Sequence, residues 1–339
     1  MNRILIVRLG SLGDIVHAVP AAAALSRAWP GVAVDWVTAP GYRDLVGMVR
    51  GLRRVITVDT RRMFGAEGVL AAVGALRAAR YDAVLDLQGL LKSAVLARLA
   101  RGARTLGFGR SDLREPAAAH FYSETVDVSR AVHVIGKGLA VARALGAAAG
   151  PPEFPLDVPD TPEVRALVDQ AGPAGYALLN PGAAWPNKRW PTERFGEVAA
   201  VLRRDRGLAS VVLWGPGERE RAEAVAAASG GAASLAPATT VPGIAALAKH
   251  ARLVLSGDTG PLHLAAAVGA PAVALFGPTS AERNGPWSAD DVSLSRLTEC
   301  ECVYERRCRR AVPCIHGIPA GDVIAAVSAR LDRAAGARS

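Results

Sequence analysis

The run SGDTGPLHLAAAVGAPAVALFGPT, residues 256–279, leaves the chain little choice of local structure. Leu253, Val254 and Leu255 ahead of it form a short apolar segment of the kind that becomes a buried strand. Ser256 through Pro261 is dense in turn residues. Leu262–Val268 is an alanine-rich helical stretch closed by Gly269 and Pro271, and Ala272–Phe276 is a second apolar strand. Strand, glycine-rich turn, helix and strand make a βαβ unit. Thr259 is placed to cap the helix, and Pro261 suits its first turn, where no amide partner is lost. Unpaired amides at such a helix start attract phosphate. An ordinary βαβ turn shares all of this. Asp258 and His263, on either side of the helix start, make it a candidate ligand site.

The same alternation runs along the chain. Strands are predicted at Ile4–Val7, Val34–Val37, Val55–Val58 and Ala83–Leu87, with a helix over Gly68–Ala79. Pro20 lies in the helical stretch after the first strand, where it starts the regular part or kinks it. Ala149–Gly175, rich in proline and glycine, reads as an interdomain region. The pattern then restarts with strands at Tyr176–Leu179, Val211–Trp214, Leu253–Leu255 and Ala272–Phe276. Helices fall at Thr192–Arg204, Glu218–Ala228 and Val241–His250. This predicts an α/β protein of two doubly wound, Rossmann-like domains facing one another across a cleft. Their bounds are 1–160 and 161–339, with the last helix free to pack back on the first domain. In such sheets ligands bind at the carboxyl ends of the strands.

Several loops after strands carry unusual chemistry. Arg8-Leu9-Gly10-Ser11-Leu12-Gly13-Asp14 is a glycine turn without the G-x-G-x-x-G spacing of a dinucleotide site, which disfavours a dehydrogenase. Asp14 at its end is a candidate general base; the bland alternative is a helix cap, and His17 is a rival base or a packing residue. Asn180–Trp190 puts Lys188 between two tryptophans, where it can neutralise a phosphate or simply be solvated. Glu218 is placed to accept ribose hydroxyls or to favour a helix start. Gln88 and Lys92 follow a strand in the first half, and Arg61, Arg62 and Arg114 add loop cations that together form a candidate anion-binding rim.

Composition narrows the partner. A net charge of +9 favours an anionic ligand, whereas aromatics are only 5% and no basic run interleaves with them, which speaks against nucleic acid. The longest apolar run contains His263, Gly269 and Pro271, which argues against a membrane span, and the apolar part of MNRILIVRLG is short for a signal peptide. The expectation is a soluble cytoplasmic protein that touches a membrane surface electrostatically. Its cysteines, Cys300, Cys302, Cys308 and Cys314, follow C-x-C-x5-C-x5-C, which is not a standard zinc spacing. Reduced thiols with no metal, and no other cofactor, are expected.

Together these motifs resemble the bacterial lipopolysaccharide heptosyltransferases, glycosyltransferases of family 9 with the GT-B fold. The carriers are ILIVRLGSLGDIVHAVPA, YDAVLDLQGLLKSAVLARLA with the later REP, NKRWP, and the run at 256–279, so the resemblance covers nearly the whole chain. LDLQGLLKS followed by REP looks like heptosyltransferase I. The resemblance implies inverting transfer of L-glycero-D-manno-heptose from ADP-heptose to the Kdo region of lipid A, without a metal. It implies Asp14 as base, with Lys188, Glu218, Asp258, Thr259, Gly260 and His263 on the donor. Glu220 is an alternative to Glu218. Arg61, Arg62, Gln88, Lys92 and Arg114 fall to the acceptor. Ala183 and Ala184 stand where heptosyltransferase I often has threonines, and the cysteine segment resembles other branches of the family. A heptosyltransferase II-like enzyme, a non-transferring sugar-nucleotide enzyme such as an epimerase, and a basic adaptor for anionic lipid are the competing readings. An adaptor gives no reason for Asp14, Lys188 and Asp258 to sit at strand ends.

Overall fold

The computed structural model describes residues 1–61 and 66–336. Arg62, one of the expected cations, lies outside them. The chain divides into two compact units, Met1–Asp157 and Val158–Ser339.

In the first unit the strands are β1 (Arg3–Val7), β2 (Ala33–Thr38), β3 (Leu52–Thr57), β4 (Ala83–Asp86), β5 (Arg104–Phe108) and β6 (Glu124–Val126). They pair in parallel in the order β3-β2-β1-β4-β5-β6. The helices are α1 (Leu12–Ala28), α2 (Arg43–Gly47), α3 (Ala66–Arg77), α4 (Leu91–Leu99) and α5 (Val134–Leu145). The central strands are apolar without alternation because both sheet faces are covered; Ile4, Leu5, Ile6 and Val7 are all buried. Pro20 neither starts nor ends α1, which runs through it as a buried helix packed on α5.

The second unit repeats the plan. Its strands are β7 (Tyr176–Asn180), β8 (Ala209–Val212), β9 (Ala233–Leu235), β10 (Leu253–Gly257), β11 (Ala272–Phe276) and β12 (Val292–Ser295). They are again all parallel, in the order β12-β11-β10-β7-β8-β9. The helices are α6 (Pro162–Ala171), α7 (Thr192–Arg206), α8 (Arg219–Ala228), α9 (Val241–His250), α10 (Gly260–Ala267), α11 (Ala281–Asn284) and α12 (Ala320–Gly336). α12 packs on α7 and on β10, β11 and β12 of its own unit. The proline-rich stretch before β7 holds α6, whose start is fixed by Pro162 in the first turn and by Thr161 Oγ1 accepting from the Val164 amide at 3.4 Å.

Both sheets have the Rossmann order, so each reverses direction once. The switch points lie between β1 and β4 and between β7 and β10. Crevices for ligands open at the carboxyl ends of such strand pairs.

Close packing at β5 gives a test of this architecture. A Cβ on Gly107 would collide with ring carbons of Tyr122, a ring that is buried and whose hydroxyl donates to Asp86 at 2.8 Å. Gly107→Ala should destabilise the first unit by ~1–3 kcal/mol, the usual cost of overpacking. Urea unfolding measures it, and an unchanged midpoint would show that the ring can move aside.

Candidate functional site

At the second switch point the chain gathers an ion cluster. Asp258 follows β10 and is 5% exposed. Its Oδ2 accepts from Lys188 Nζ at 2.6 Å and from Thr279 Oγ1 at 2.6 Å, while its Oδ1 is 3.1 Å from His263 Nε2. Burial pushes the Asp258 carboxyl up. The hydrogen bond and charge of His263, with Lys188 behind them, outweigh that push and hold it well below the usual carboxylate range. Lys188 comes from the loop after β7, Thr279 from the loop after β11 and His263 from the first turn and a half of α10. Lys188 also lies 4.6 Å from the centre of the Trp185 ring, a cation–π contact that limits its range.

Thr259 is the N-cap of α10, but its side chain does not cap the helix. Its Oγ1 accepts from Asn180 Nδ2 at 2.9 Å and meets Ser256 Oγ at 3.1 Å. Asn180 thus ties the end of β7 to the end of β10 across the switch point, and no capping side chain covers the start of α10. Gly260 is the first residue of that helix. Glu218, the N-cap of α8, folds back so that Oε2 accepts from the Gly215 amide at 3.2 Å. A Cβ on Gly182 would strike that carboxylate, so glycine there is a condition of its placement. Ala183 is buried and its carbonyl accepts from Arg189 Nε at 2.8 Å. Glu220 lies exposed in the first turn of α8.

The first switch point is built differently. Asp14 sits in the first turn of α1, where Oδ2 accepts from the Ser11 amide and hydroxyl, both at 3.0 Å, and Oδ1 pairs with Arg8 at 2.6 Å. It therefore does cap the helix, while its side chain stays 43% exposed and open to further partners. Arg8 also donates to the Leu87 carbonyl, fixing the β1 loop to the β4 loop. Gln88 does the same in reverse, its Oε1 accepting from the Leu9 amide at 2.7 Å. Gln88 is thus tied into the loop framework. His17 is buried, edge-on to His133 at 5.6 Å between ring centres, which suits packing.

Arg61, Lys92 and Arg114 are exposed. They follow β3, β4 and β5 respectively, so the parallel order puts all three at the carboxyl edge of the first sheet with Asp14. The sequence reading did not single out Arg8, Asn180 or Thr279 as site residues. Arg8 directly follows β1 two residues ahead of Gly10, Asn180 ends β7 beside Pro181, and Thr279 lies three residues past β11 beside Pro278; that placement is the signal that could have found them.

The cysteines are all free thiols, with Cys302 and Cys314 buried and Cys300 and Cys308 partly so. Burial pushes the Cys314 thiol up to about 12, with the neighbouring Cys300 adding to it. Among the described residues no three of His, Cys, Asp and Glu are grouped to hold a metal ion, and no helix is long and apolar enough to cross a membrane.

Two Rossmann-ordered units in succession, the second with an ion cluster at its switch point, make the GT-B fold. Residues 69–313 match the model of glycosyltransferase family 9 (heptosyltransferase). The chain is 34% identical to lipopolysaccharide heptosyltransferase 1 of Pseudomonas aeruginosa over 90% of its length and 87% of the relative's. The heptosyltransferase WaaC of E. coli, solved with ADP, is 27% identical with a TM-score of 0.77, covering 98% of this chain and 99% of that one. WaaC with ADP-2-deoxy-2-fluoro heptose is 30% identical with a TM-score of 0.72, covering 86% and 92%. The chain belongs to glycosyltransferase family 9.

The depressed Asp258 pKa has a consequence for stability. A carboxyl that is more acidic folded than unfolded stabilises the protein above its unfolded pKa, near ~3.9, and loses that contribution as pH falls through the folded value. Asp258→Asn should cost ~3 kcal/mol at pH 7, since it leaves the Lys188 charge without its buried counterion. The gap to wild type should narrow as pH drops below about 4. Urea unfolding of both proteins across that range reads it; a gap that does not change with pH would mean the carboxylate charge contributes nothing.

Proposed function

We propose that this chain transfers L-glycero-D-manno-heptose, with inversion, from ADP-heptose to the Kdo region of lipid A, working at the cytoplasmic face of the inner membrane. The observation that carries this reading is the Lys188–Asp258–His263 cluster beside the uncapped start of α10. A diphosphate there meets the Lys188 ammonium and the amides of Thr259 and Gly260. Asp258 and His263 hold the lysine and the helix start in place and offer acceptors and a donor to heptose hydroxyls. Glu218 accepts the ribose hydroxyls. With alanines at 183 and 184, phosphate contacts in that loop fall to backbone groups and Lys188. The relatives' names and the ADP and ADP-2-deoxy-2-fluoro heptose complexes of WaaC support the donor.

Inversion needs an acceptor hydroxyl to attack the anomeric carbon opposite the departing ADP. The bond to the ADP oxygen breaks as the new glycosidic bond forms, and the hydroxyl proton goes to Asp14. Arg8 holds that carboxylate in place through the ion pair at 2.6 Å. Arg61, Arg62, Lys92 and Arg114 bind the acidic groups of the lipid-linked sugar.

The test is ADP release from ADP-heptose, which should require Kdo-lipid A. Lys188→Ala should raise the donor KM by at least tenfold with the fold intact, since it removes one charge-assisted contact worth ~1.5–3 kcal/mol. Asp14→Asn should keep donor KM and lower kcat by ~10²–10⁴, the range of a lost general base. Near-normal kcat in Asp14→Asn together with a loss in His17→Ala would move the role to the histidine.

The acceptor cations separate by salt. Neutralising Arg61 and Arg114 together should raise acceptor KM and flatten its dependence on ionic strength, while donor KM holds. Equal shifts in both constants would remove these residues from the acceptor.

A further inference from the structure

On the far side of the loop that carries Lys188, the second unit has a concavity of about 440 Å³. Its wall is made by Arg189, Trp190, Thr192, Glu193, Arg221 and His316 together with three prolines, and it shares no residue with the Asp258 cluster. Lys188 and Arg189 are consecutive, but the first turns to Asp258 and the second, through Nε, to the Ala183 carbonyl.

The charges in this concavity are unbalanced. Arg221, in the first turn of α8, is half-buried, and no ion pair or hydrogen bond from another described residue reaches its guanidinium. Burial depresses its pKa, and the charge of Arg189 depresses it further against the weaker pull of Glu218 and Glu193. His316 donates through Nε2 to the Arg189 carbonyl at 3.1 Å, and Arg194 adds a third guanidinium behind it, bonded to the His316 carbonyl at 2.5 Å. Glu193 is the one carboxylate in the wall; it is exposed and accepts from the Thr192 hydroxyl at 3.1 Å. Arg189 and Arg221 are both half-buried and their charges repel, an arrangement that an anion between them relieves, and their planar forks match phosphate oxygens. The volume is in the range of small-molecule sites and larger than a phosphate alone needs. The Thr192–Glu193 rim supplies hydroxyl partners.

We propose that this concavity is a second ligand site, separate from the donor cluster, that takes a small phosphorylated sugar. The phosphate lies on Arg189 and Arg221, and sugar hydroxyls meet Thr192 and Glu193. Such a ligand would hold Arg189, and through the Ala183 carbonyl the loop that also carries Lys188.

Calorimetric titration of the full chain tests it, with glucose 6-phosphate, glucose and inorganic phosphate as separate probes. Glucose 6-phosphate should bind more tightly than either fragment. Arg221→Gln should weaken it at least tenfold, and Arg221→Lys should recover part of the loss while matching the wild-type circular dichroism. Saturating ADP should not displace glucose 6-phosphate. Binding no better than that of inorganic phosphate, competition with ADP, or a wild-type affinity in folded Arg221→Gln would each overturn the proposal. The titration needs neither donor turnover nor acceptor, so it stands apart from the outcome for heptose transfer.

Discussion

A carboxylate out of water is the constraint on which the second unit's site depends. An ion so deeply buried is tolerable only if charged and hydrogen-bonding partners surround it. Asp258 obtains them from three directions: Lys188 from the β7 loop, Thr279 from the β11 loop and His263 from α10. Meeting that one demand fixes the relative positions of three loops at the switch point. It also places an ammonium beside the start of α10, which no side chain caps.

The first unit has a carboxylate in the corresponding place, and the comparison shows what the second unit's charges are for. Asp86 ends β4, the partner of β1 across the first switch point, and is fully buried. Its partners are neutral: the amides of Gln88 and Gly89, the Ser93 hydroxyl at 2.8 Å and the Tyr122 hydroxyl at 2.8 Å. Burial therefore dominates and raises its pKa, where Asp258 is driven the other way. Asp86 organises a turn and the start of α4. Asp258 holds cations, whereas the exposed charges at the carboxyl edge of the first sheet sit elsewhere, on Asp14, Arg61 and Arg114.

The cysteine-bearing segment has a mechanical part in this arrangement. The Asn187 side chain donates to the Glu305 carbonyl at 2.9 Å, and the Tyr304 amide donates to the Pro278 carbonyl at 2.8 Å. A Cβ on Gly277 would press on Ile315, on the Asn187 carbonyl and on Cys314. Arg306 stacks 6.0 Å from the centre of the Trp185 ring, on which Lys188 also rests. Residues 302–315 thus brace the Lys188 loop and the Thr279 loop together.

The sequence by itself determined the layering and the loops on which the candidate site stands. Continuous apolar runs such as Ala272–Phe276 can only be strands covered on both faces, and glycine turns after them mark ligand edges. Four strands escaped it: β6, β9 and β12 because an edge position buries too little to impose a pattern, and the interior β5 because its buried run, Thr105-Leu106-Gly107, mixes a polar residue and a glycine with one leucine. Contacts between loops distant in sequence escaped it too. Thr259 looks like a helix cap until the structure brings Asn180 within 2.9 Å of it. Nothing in the spacing announces that the Gln88 side chain bonds the Leu9 amide, 79 positions away. Lys188 and Asp258 are 70 positions apart, and only the folded sheet makes them one ion pair. Propensity and spacing act over a few residues, whereas the pairing of a buried charge is settled by whichever partners the sheet order carries to it.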